Sequence, residues 1–189
     1  MSLVIAMMAL TLLTALGAAL VLGTVTETAI AASYREGTET FYAAEAAVEF
    51  VVQELAAAPD WDEILAGDSI SILVDGPPAG ARQVGAATVD LTAATADVLT
   101  ATNGDDEGVS YRLYAYGHLA DMIPGTAAGS PYYVIAWIAE LLADGEEPPG
   151  IRIVSRAYGP TGSRRSVMVS VTRPQDAEEL QVVSWRELR

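Results

Sequence analysis

The chain opens with residues 1–26, MSLVIAMMALTLLTALGAALVLGTVT, which contain no charged side chain. A membrane-spanning helix needs about 20 consecutive apolar residues, and Leu3 to Val25 reaches that length. Thr11, Thr14 and Thr24 are its mildest interruptions. This stretch decides the fold, because it must lie in a bilayer or in an equally dry packed bundle.

The next stretch continues the helix. No proline occurs before Pro59, so we expect one helix to run through residues 27–57 as well. Here apolar and small residues recur at alternating steps of four and three, with glutamates between them, as in an amphipathic helix that faces one surface. The residues expected to pack this helix on a globular domain are Ile30, Tyr34, Phe41, Ala44, Val48, Val51 and Leu55.

Two ordinary explanations of the apolar start must be compared with this pattern. A cleaved secretory signal predicts a basic start, an apolar core of about 7 to 15 residues and a small-residue cleavage site. The apolar run here is longer, and no Lys or Arg precedes it. A single-pass anchor fits the length equally well, and only the amphipathic continuation favours a packing helix over an anchor.

Four motifs carry a family resemblance: MSLVIA at residues 1–6, small residues at 17–19, TET at 26–28 and FYAAEAA at 41–47. Together they resemble the N-terminal helix of PilX-type members of the type IV pilin superfamily, over about the first 57 residues. Those proteins are made with a short basic leader, and a prepilin peptidase cuts after its final glycine and methylates the new N-terminus. The resemblance implies that Met1 is this processed residue.

The resemblance also implies partners and a location. The apolar half-helix is expected to reside in the inner membrane, from which pilus assembly machinery extracts it into an extracellular filament at the cell surface. There it packs against the same segment of other copies or other pilins. The residues expected to form this filament core are Leu3, Val4, Ile5, Leu10, Leu12, Leu13, Leu16, Leu20, Val21 and Leu22.

One position departs from the family pattern. Most pilins carry a glutamate five residues from the mature start, where it is thought to neutralise the N-terminal amine of a neighbouring subunit, but this chain has Ile5. A charge buried in a dry bundle is costly unless it is paired. Subunits without this glutamate can sit at a filament tip, and PilX-type sequences often lack it, so the choice between major and minor subunit stays open.

Composition narrows the possible functions. The chain has 10 Arg, no Lys and no Cys, with a formal charge of −15. A net-acidic surface repels phosphate, so we predict no nucleic-acid partner. Without cysteine there is no disulfide. Residues 1–150 hold 3 Arg against 21 acids, whereas 151–189 hold 7 Arg against 4, which is either complementary charge between adjacent subunits or simply solvated charge.

Residues 58–189 are expected to form an α+β domain with an antiparallel sheet. Turn residues Gly76 to Gly80 follow a short strand candidate, and a helix is predicted from Asp90 to Asn103. Later segments alternate with period two and are rich in Val, Ile, Tyr and Trp, and Gly159 to Gly162 reads as a hairpin connection. The strand candidates are Ser69 to Val74, Val109 to Tyr116, Tyr132 to Ala139, Ile151 to Tyr158, Arg165 to Arg173 and Leu180 to Arg186.

The sequence contains few residues that could form a catalytic, metal-binding or cofactor-binding site. His118 is the only histidine, and no thiol or phosphate-binding glycine loop is present, so we predict no enzyme, no metal centre and no cofactor. Asp60, Asp62 and Glu63 beside Trp61 are read as a helix end in solvent. The acidic run from Asn103 to Glu107 lacks EF-hand spacing and is read as an exposed turn, with cation binding left open.

The tyrosines and tryptophans of the strands allow two interpretations. They could form an adhesive patch, but sheet aromatics usually form core or cross-strand pairs. The set consists of Tyr111, Tyr114, Tyr116, Tyr132, Tyr133, Trp137 and Tyr158.

Two functional hypotheses remain. The first is a structural pilin-like subunit of a type IV pilus-like filament, in which a long N-terminal helix packs on a C-terminal antiparallel sheet. The second is a single-pass membrane-anchored extracytoplasmic binding or sensory domain. The sequence does not distinguish adhesion, motility, DNA uptake and secretion as the role of such a filament.

Overall fold

A computed structural model describes residues 1–102, 109–122, 129–141, 150–174 and 179–188. The chain divides into two compact units, Met1–Glu36 and Gly37–Arg189. Helix α1 spans Ser2–Ala57 and thus supplies the whole first unit and the beginning of the second. The second unit contains the other helices and all the described strands.

The first unit is helix α1 alone. Ala and Leu are its most frequent residues, and both lose little side-chain entropy in a helix. Gly17 and Gly23 lie within the helix, and the space beside each of them is open. No other element of this unit covers the helix, so residues 1–35 are exposed and Glu36, at its end, is half-buried.

The second unit is built on one five-stranded sheet. Its strands follow one another in the order β3-β4-β5-β6-β7, and each pair is antiparallel. This confirms the predicted α+β class and the antiparallel meander. The remaining elements of the unit are α2 (Asp62–Ala66), β1 (Ala81–Val84), β2 (Ala87–Asp90) and α3 (Leu91–Thr102), and the sheet strands are β3 (Arg112–His118), β4 (Tyr133–Leu141), β5 (Gly150–Tyr158), β6 (Arg164–Thr172) and β7 (Gln181–Leu188).

The two faces of the sheet carry separate hydrophobic cores. On one face, Val48, Val51 and Leu55 of α1 are buried together with alternate strand residues such as Val167 and Val169. The opposite face is covered by α3 and by the β1–β2 hairpin. Alternating side chains of one strand therefore enter different cores, as the period-two pattern predicts. This second core contains Val84, Val89, Leu91, Ala94, Val98, Tyr116, Tyr133, Ile135, Trp137 and Met168, among others.

The predicted hairpin at Gly159 to Gly162 is present between β5 and β6. The Gly159 N–H donates to the Ser163 carbonyl at 2.8 Å, and the Gly162 N–H donates to the Gly159 carbonyl at 3.1 Å. Gly162 has φ +97°, a left-handed conformation that glycine adopts without a Cβ clash. The turn sets the register in which Tyr158 pairs with Arg164.

The strand predicted from Ser69 to Val74 is wrong. Val74 makes only an isolated parallel bridge with Tyr116, where the Tyr116 N–H donates to the Leu73 carbonyl at 2.8 Å and the Asp75 N–H donates to the Tyr116 carbonyl at 2.9 Å. Because Gly76 and the following prolines turn the chain away, the segment touches the edge of β3 at one point instead of pairing along it.

Other predicted bounds differ by a few residues, and the β1–β2 hairpin and α2 were not predicted. The hairpin was missed because ARQV and ATVD are short and weakly apolar. The predicted helix from Asp90 is α3, in which the Asp90 carboxylate accepts the Ala93 N–H at 2.8 Å and so caps the first turn. Asn103, its predicted last residue, lies outside the described residues.

Candidate assembly surface

The apolar half of α1, residues 1–26, is the largest exposed apolar surface of the first unit. The residues predicted to form a filament core are all between 60% and 74% exposed. Burying one such side chain is worth about 1.5–3 kcal/mol relative to leaving it in water. A surface of this kind needs a nonaqueous cover, and these ten residues are Leu3, Val4, Ile5, Leu10, Leu12, Leu13, Leu16, Leu20, Val21 and Leu22.

Apolar residues surround this half-helix on every side. Leu12 and Leu13 are adjacent in sequence and therefore point in directions about 100° apart, and Leu10 and Leu16 fill further directions. A helix that is apolar all round is typical of a fully buried or membrane-spanning helix. Within the described residues, α1 is the helix that is long and apolar enough to cross a bilayer, and none of its most apolar window is buried in the chain.

The threonine side chains of the segment are satisfied within the helix itself. The Thr14 hydroxyl donates to the Leu10 carbonyl at 2.8 Å, and Thr11 and Thr24 bond to carbonyls of the preceding turn in the same way. Each hydroxyl thereby avoids the cost of an unpaired polar group in an apolar medium. The threonines that interrupt the apolar run are therefore compatible with a dry surrounding.

The start of the helix shows the departure noted in the sequence. Met1 precedes the first helical residue, and the Ile5 N–H donates to the Met1 carbonyl at 3.4 Å. Ile5 is 65% exposed and presents an aliphatic surface at the position of the usual pilin glutamate. Processing and methylation at Met1 stay predictions.

The amphipathic half of α1 divides into an exposed and a buried part. Ala44, Val48, Val51 and Leu55 lie in the core on the sheet, and Phe41 is half-buried against that core. The structure differs from the prediction at Ile30 and Tyr34, which are 64% and 78% exposed. The helical stripe continues through both positions, but burial on α1 begins only at Thr40.

Polar contacts anchor the second half of α1 to the sheet. The Tyr132 hydroxyl donates to Glu39 Oε2 at 2.6 Å, and the Thr40 and Ser163 hydroxyls are 2.6 Å apart. None of these contacts was predicted, because their partners are separated by 93 and 123 positions in the sequence. A local pattern carries no signal for such pairs.

Arg173 was also missed, and it holds the carboxyl end of α1. Its guanidinium donates to the carbonyls of Leu55, Ala58 and Pro59 at 2.7, 2.9 and 3.3 Å. It also lies 4.6 Å above the Trp61 ring. The last carbonyls of a helix lack intrahelical partners, and a cation there is favoured by the helix dipole. Arg173, the residue directly after β6, therefore ties the end of α1 to the end of that strand.

Six of the seven aromatic residues singled out in the sequence are buried in the two cores, and Tyr158 packs partly buried against one of them. Tyr114 and Tyr132 lie in the core beneath α1, while Tyr111, Tyr116 and Trp137 lie in the opposite core. The Trp137 indole donates to the Thr95 hydroxyl at 2.9 Å, so its one polar atom is paired. These contacts favour the core interpretation over an adhesive patch.

Burial raises the pKa of three tyrosines, Tyr114, Tyr116 and Tyr133, and the shift is largest for Tyr114 and Tyr133. Burial raises the pKa of Tyr114, and the nearby Glu54 carboxylate raises it further. Burial also raises the pKa of Tyr133, with a smaller contribution from Asp75. Both phenols therefore stay protonated well into the alkaline range, which suits packing and hydrogen bonding better than acid–base chemistry.

The candidate chemical residues have structural surroundings. His118 ends β3 and lies edge-to-face against Tyr133 with 5.3 Å between ring centroids. The Asp60 carboxylate accepts the Asp62 N–H at 2.8 Å at the start of α2. The described part of the chain contains no group of three or more His, Cys, Asp or Glu residues that could hold a metal ion. The acidic run from Asn103 to Glu107 lies outside the described residues.

Comparison with known proteins identifies the N-terminal segment. Residues 1–49 match the family model described as PilX N-terminal. No curated protein and no solved structure matches the chain at a significant level. The matched segment contains the exposed apolar half-helix and the first buried turns of α1. The first 49 residues thus carry a PilX-type N-terminal sequence, which confirms the predicted resemblance to the type IV pilin superfamily and supports a pilin-like, type IV pilus-associated protein.

Proposed function

We propose that this chain is a structural subunit of a type IV pilus-like extracellular filament, assembled by packing its apolar N-terminal half-helix against those of other subunits. The observation that carries the proposal is the combination of a PilX N-terminal match with an apolar half-helix that the chain itself leaves exposed. A structural role also agrees with the matched family, which is one of pilins.

The energetic logic requires two dry environments. Before assembly, the half-helix resides in the inner membrane, where its leucines contact lipid. After assembly, the same side chains contact the corresponding segments of neighbouring subunits. The leucines stay out of water in both states, so the transfer between them is close to neutral in hydrophobic free energy. Assembly machinery in the inner membrane then mainly has to set the direction in which subunits move, from the membrane into the filament.

The proposal assigns separate roles along the chain. Residues 1–26 form the membrane and filament-core half, residues 27–57 the amphipathic half, and residues 58–189 the α+β domain displayed on the filament surface. Met1 is the processed and methylated N-terminus produced by a prepilin peptidase. Because Ile5 offers no carboxylate to a neighbouring amine, the contact there is apolar.

A single-pass anchor for an extracytoplasmic binding or sensory domain is the second candidate. It is favoured by the same exposed apolar half-helix, which is long enough to span a bilayer. An anchored domain remains in the membrane fraction as a monomer or small oligomer, whereas a filament subunit is released from cells by shearing. A single fractionation experiment therefore distinguishes the two functions.

The deciding experiment is mass spectrometry of the N-terminal peptide from material sheared off cells. We expect a peptide that begins at Met1 and carries one additional methyl group on its amine. The matched control is the membrane pellet of the same cells, which contains the unassembled pool. Absence of the chain from the sheared fraction, or an unprocessed start, would refute the filament proposal and favour the anchored domain.

A further inference from the structure

Strand β7 leaves one edge of the main sheet open. It is the last strand in the order β3-β4-β5-β6-β7 and pairs only with β6 among the described residues. Residues Gln181 to Glu187 are all exposed. An open edge presents unpaired N–H and C=O groups that can bind another extended chain.

Residues 182–185 of the β7 edge lack the charges that protect most edge strands, although Arg186 and Glu187 follow them in the same strand. Natural edge strands are commonly shielded by charges, proline or a covering element. Here Val182, Val183 and Trp185 are 57%, 60% and 50% exposed. At the opposite edge of the sheet, by contrast, the segment around Val74 contacts β3.

A groove lies beside this edge. It has a volume of about 260 Å³ and is lined by residues of the amphipathic half of α1 and of strands β6 and β7. Trp185 forms one end, where its ring packs edge-to-face on Phe41 with 6.1 Å between centroids. Its apolar lining consists of Ala46, Val48, Val52, Val169, Val182 and Trp185. An apolar groove along an open strand edge fits the side chains of an added strand.

Two carboxylates determine which kind of added strand is electrostatically favoured in the groove. Glu45 and Glu49 also line the groove, one helical turn apart on α1. Neither forms an ion pair with any of the described residues. Like charges at this spacing repel each other by a few tenths of a kcal/mol in an isolated helix. A cationic side chain in the groove would relieve that repulsion and complement both carboxylates.

The same charges disfavour a second copy of this chain as the occupant. Each copy carries a formal charge of −15 and would bring its own Glu45 and Glu49 to a contact between two β7 strands. Juxtaposed like charges oppose association. A basic partner, in contrast, is attracted by the net charge and by the groove.

We propose that the β7 edge and its groove bind an extended segment of another protein, which adds a strand to the sheet, places apolar side chains in the groove and directs an arginine or lysine to Glu45 and Glu49. This binding site is separate from the apolar half-helix, because every residue that forms it lies in the second compact unit. If this binding proposal failed, the filament proposal would be unchanged.

The test uses the full chain in nonionic detergent and the blocked peptide VTRTVTV, whose alternate side chains are apolar apart from one arginine. Trp185 is the reporter, because it is half-exposed whereas Trp61 and Trp137 are 7% and 0% exposed. We expect peptide binding to shift the Trp185 emission to shorter wavelength, and added salt to weaken binding. The matched peptide VTETVTV, with glutamate in place of arginine, should bind much more weakly.

Two variants separate the contribution of the carboxylates to peptide binding from that of the strand edge. The double change Glu45→Gln and Glu49→Gln should weaken binding of the arginine peptide about threefold to tenfold, as expected for two partly exposed ion pairs. Val183→Lys should prevent binding, because it places a charge on the strand edge. Ile72→Lys is the matched control, since Ile72 is 87% exposed and adjoins the segment at the opposite sheet edge, and it should bind as the unchanged chain does.

Three results would overturn the proposal. One is the absence of any Trp185 shift with the arginine peptide. Another is equal binding of the two peptides, or equal binding by the glutamine variant, which would remove the electrostatic argument. The third is concentration-dependent self-association that Val183→Lys abolishes without any peptide binding, which would assign the edge to a second copy of the chain.

Discussion

Replacement of Leu13 by aspartate tests the assembly surface most directly. Leu13 lies next to the midpoint of the apolar run from Leu3 to Val25, so it is near the centre of a bilayer or of a packed bundle. It belongs to the first compact unit and is 69% exposed in the single chain. The change should therefore affect assembly without disturbing the cores of the second unit.

The expected magnitude follows from that position. At the centre of a membrane-spanning helix, leucine contributes about −0.3 to −0.6 kcal/mol and aspartate about +2.5 to +3.5 kcal/mol to insertion. The difference of about 3–4 kcal/mol corresponds to a change of roughly a hundredfold to a thousandfold in an equilibrium constant. An unpaired carboxylate in a dry helix bundle is disfavoured for the same reason.

The assay compares the amount of chain in sheared filaments, in the membrane and in whole cells. Leu13→Asp should reduce the sheared fraction by at least about a hundredfold, whereas the volume-conserving control Leu13→Met should retain it. Thermal unfolding of the second unit should be unchanged in both variants. Normal filaments from Leu13→Asp would refute the packing model, and a lowered unfolding temperature would show that Leu13 contributes to the domain.

Two further predictions concern the second unit. Arg173→Met should lower the free energy of unfolding by about 2 kcal/mol, because three carbonyls at the end of α1 lose a charged donor, and an unchanged urea midpoint would contradict this. Burial raises the pKa of Tyr114 and Tyr133, so their contribution to stability is complete below about pH 10, the unfolded value, and is lost as pH rises beyond it. Replacement of both tyrosines by phenylalanine should flatten the alkaline decline in melting temperature, and an equal decline would contradict that assignment.

Sequence patterns predicted local features of the fold better than features that depend on residues distant in the sequence. Periodicity predicted the long helix and the strands of the main sheet, because each signal is contained within a few turns or a few alternating residues. It failed at Ser69 to Val74, where the composition suits a strand but the following turn allows only one bridge. The short β1–β2 hairpin was missed because its strands contain too few apolar residues to show a period.

The stripe on α1 shows a second limit. A helical pattern indicates which side of a helix is apolar, but it does not indicate how far a partner extends along it. The same stripe contains Leu55, which is fully buried, and Tyr34, which is 78% exposed. Within the second unit, burial on α1 begins at Thr40, and the position of the sheet that covers this part depends on strand pairings distant in sequence.

The sequence alone determined the PilX-type apolar half-helix and the antiparallel α+β character of the chain, because hydrophobicity and period are properties of consecutive residues. The tertiary structure decided which parts of α1 are covered, how Arg173 holds the helix end, and that β7 leaves an open edge beside Glu45 and Glu49. These features depend on contacts between residues more than a hundred positions apart or on the order of strands. A local sequence pattern contains neither the distant contacts nor the strand order, because both arise only when the sheet packs on the helix.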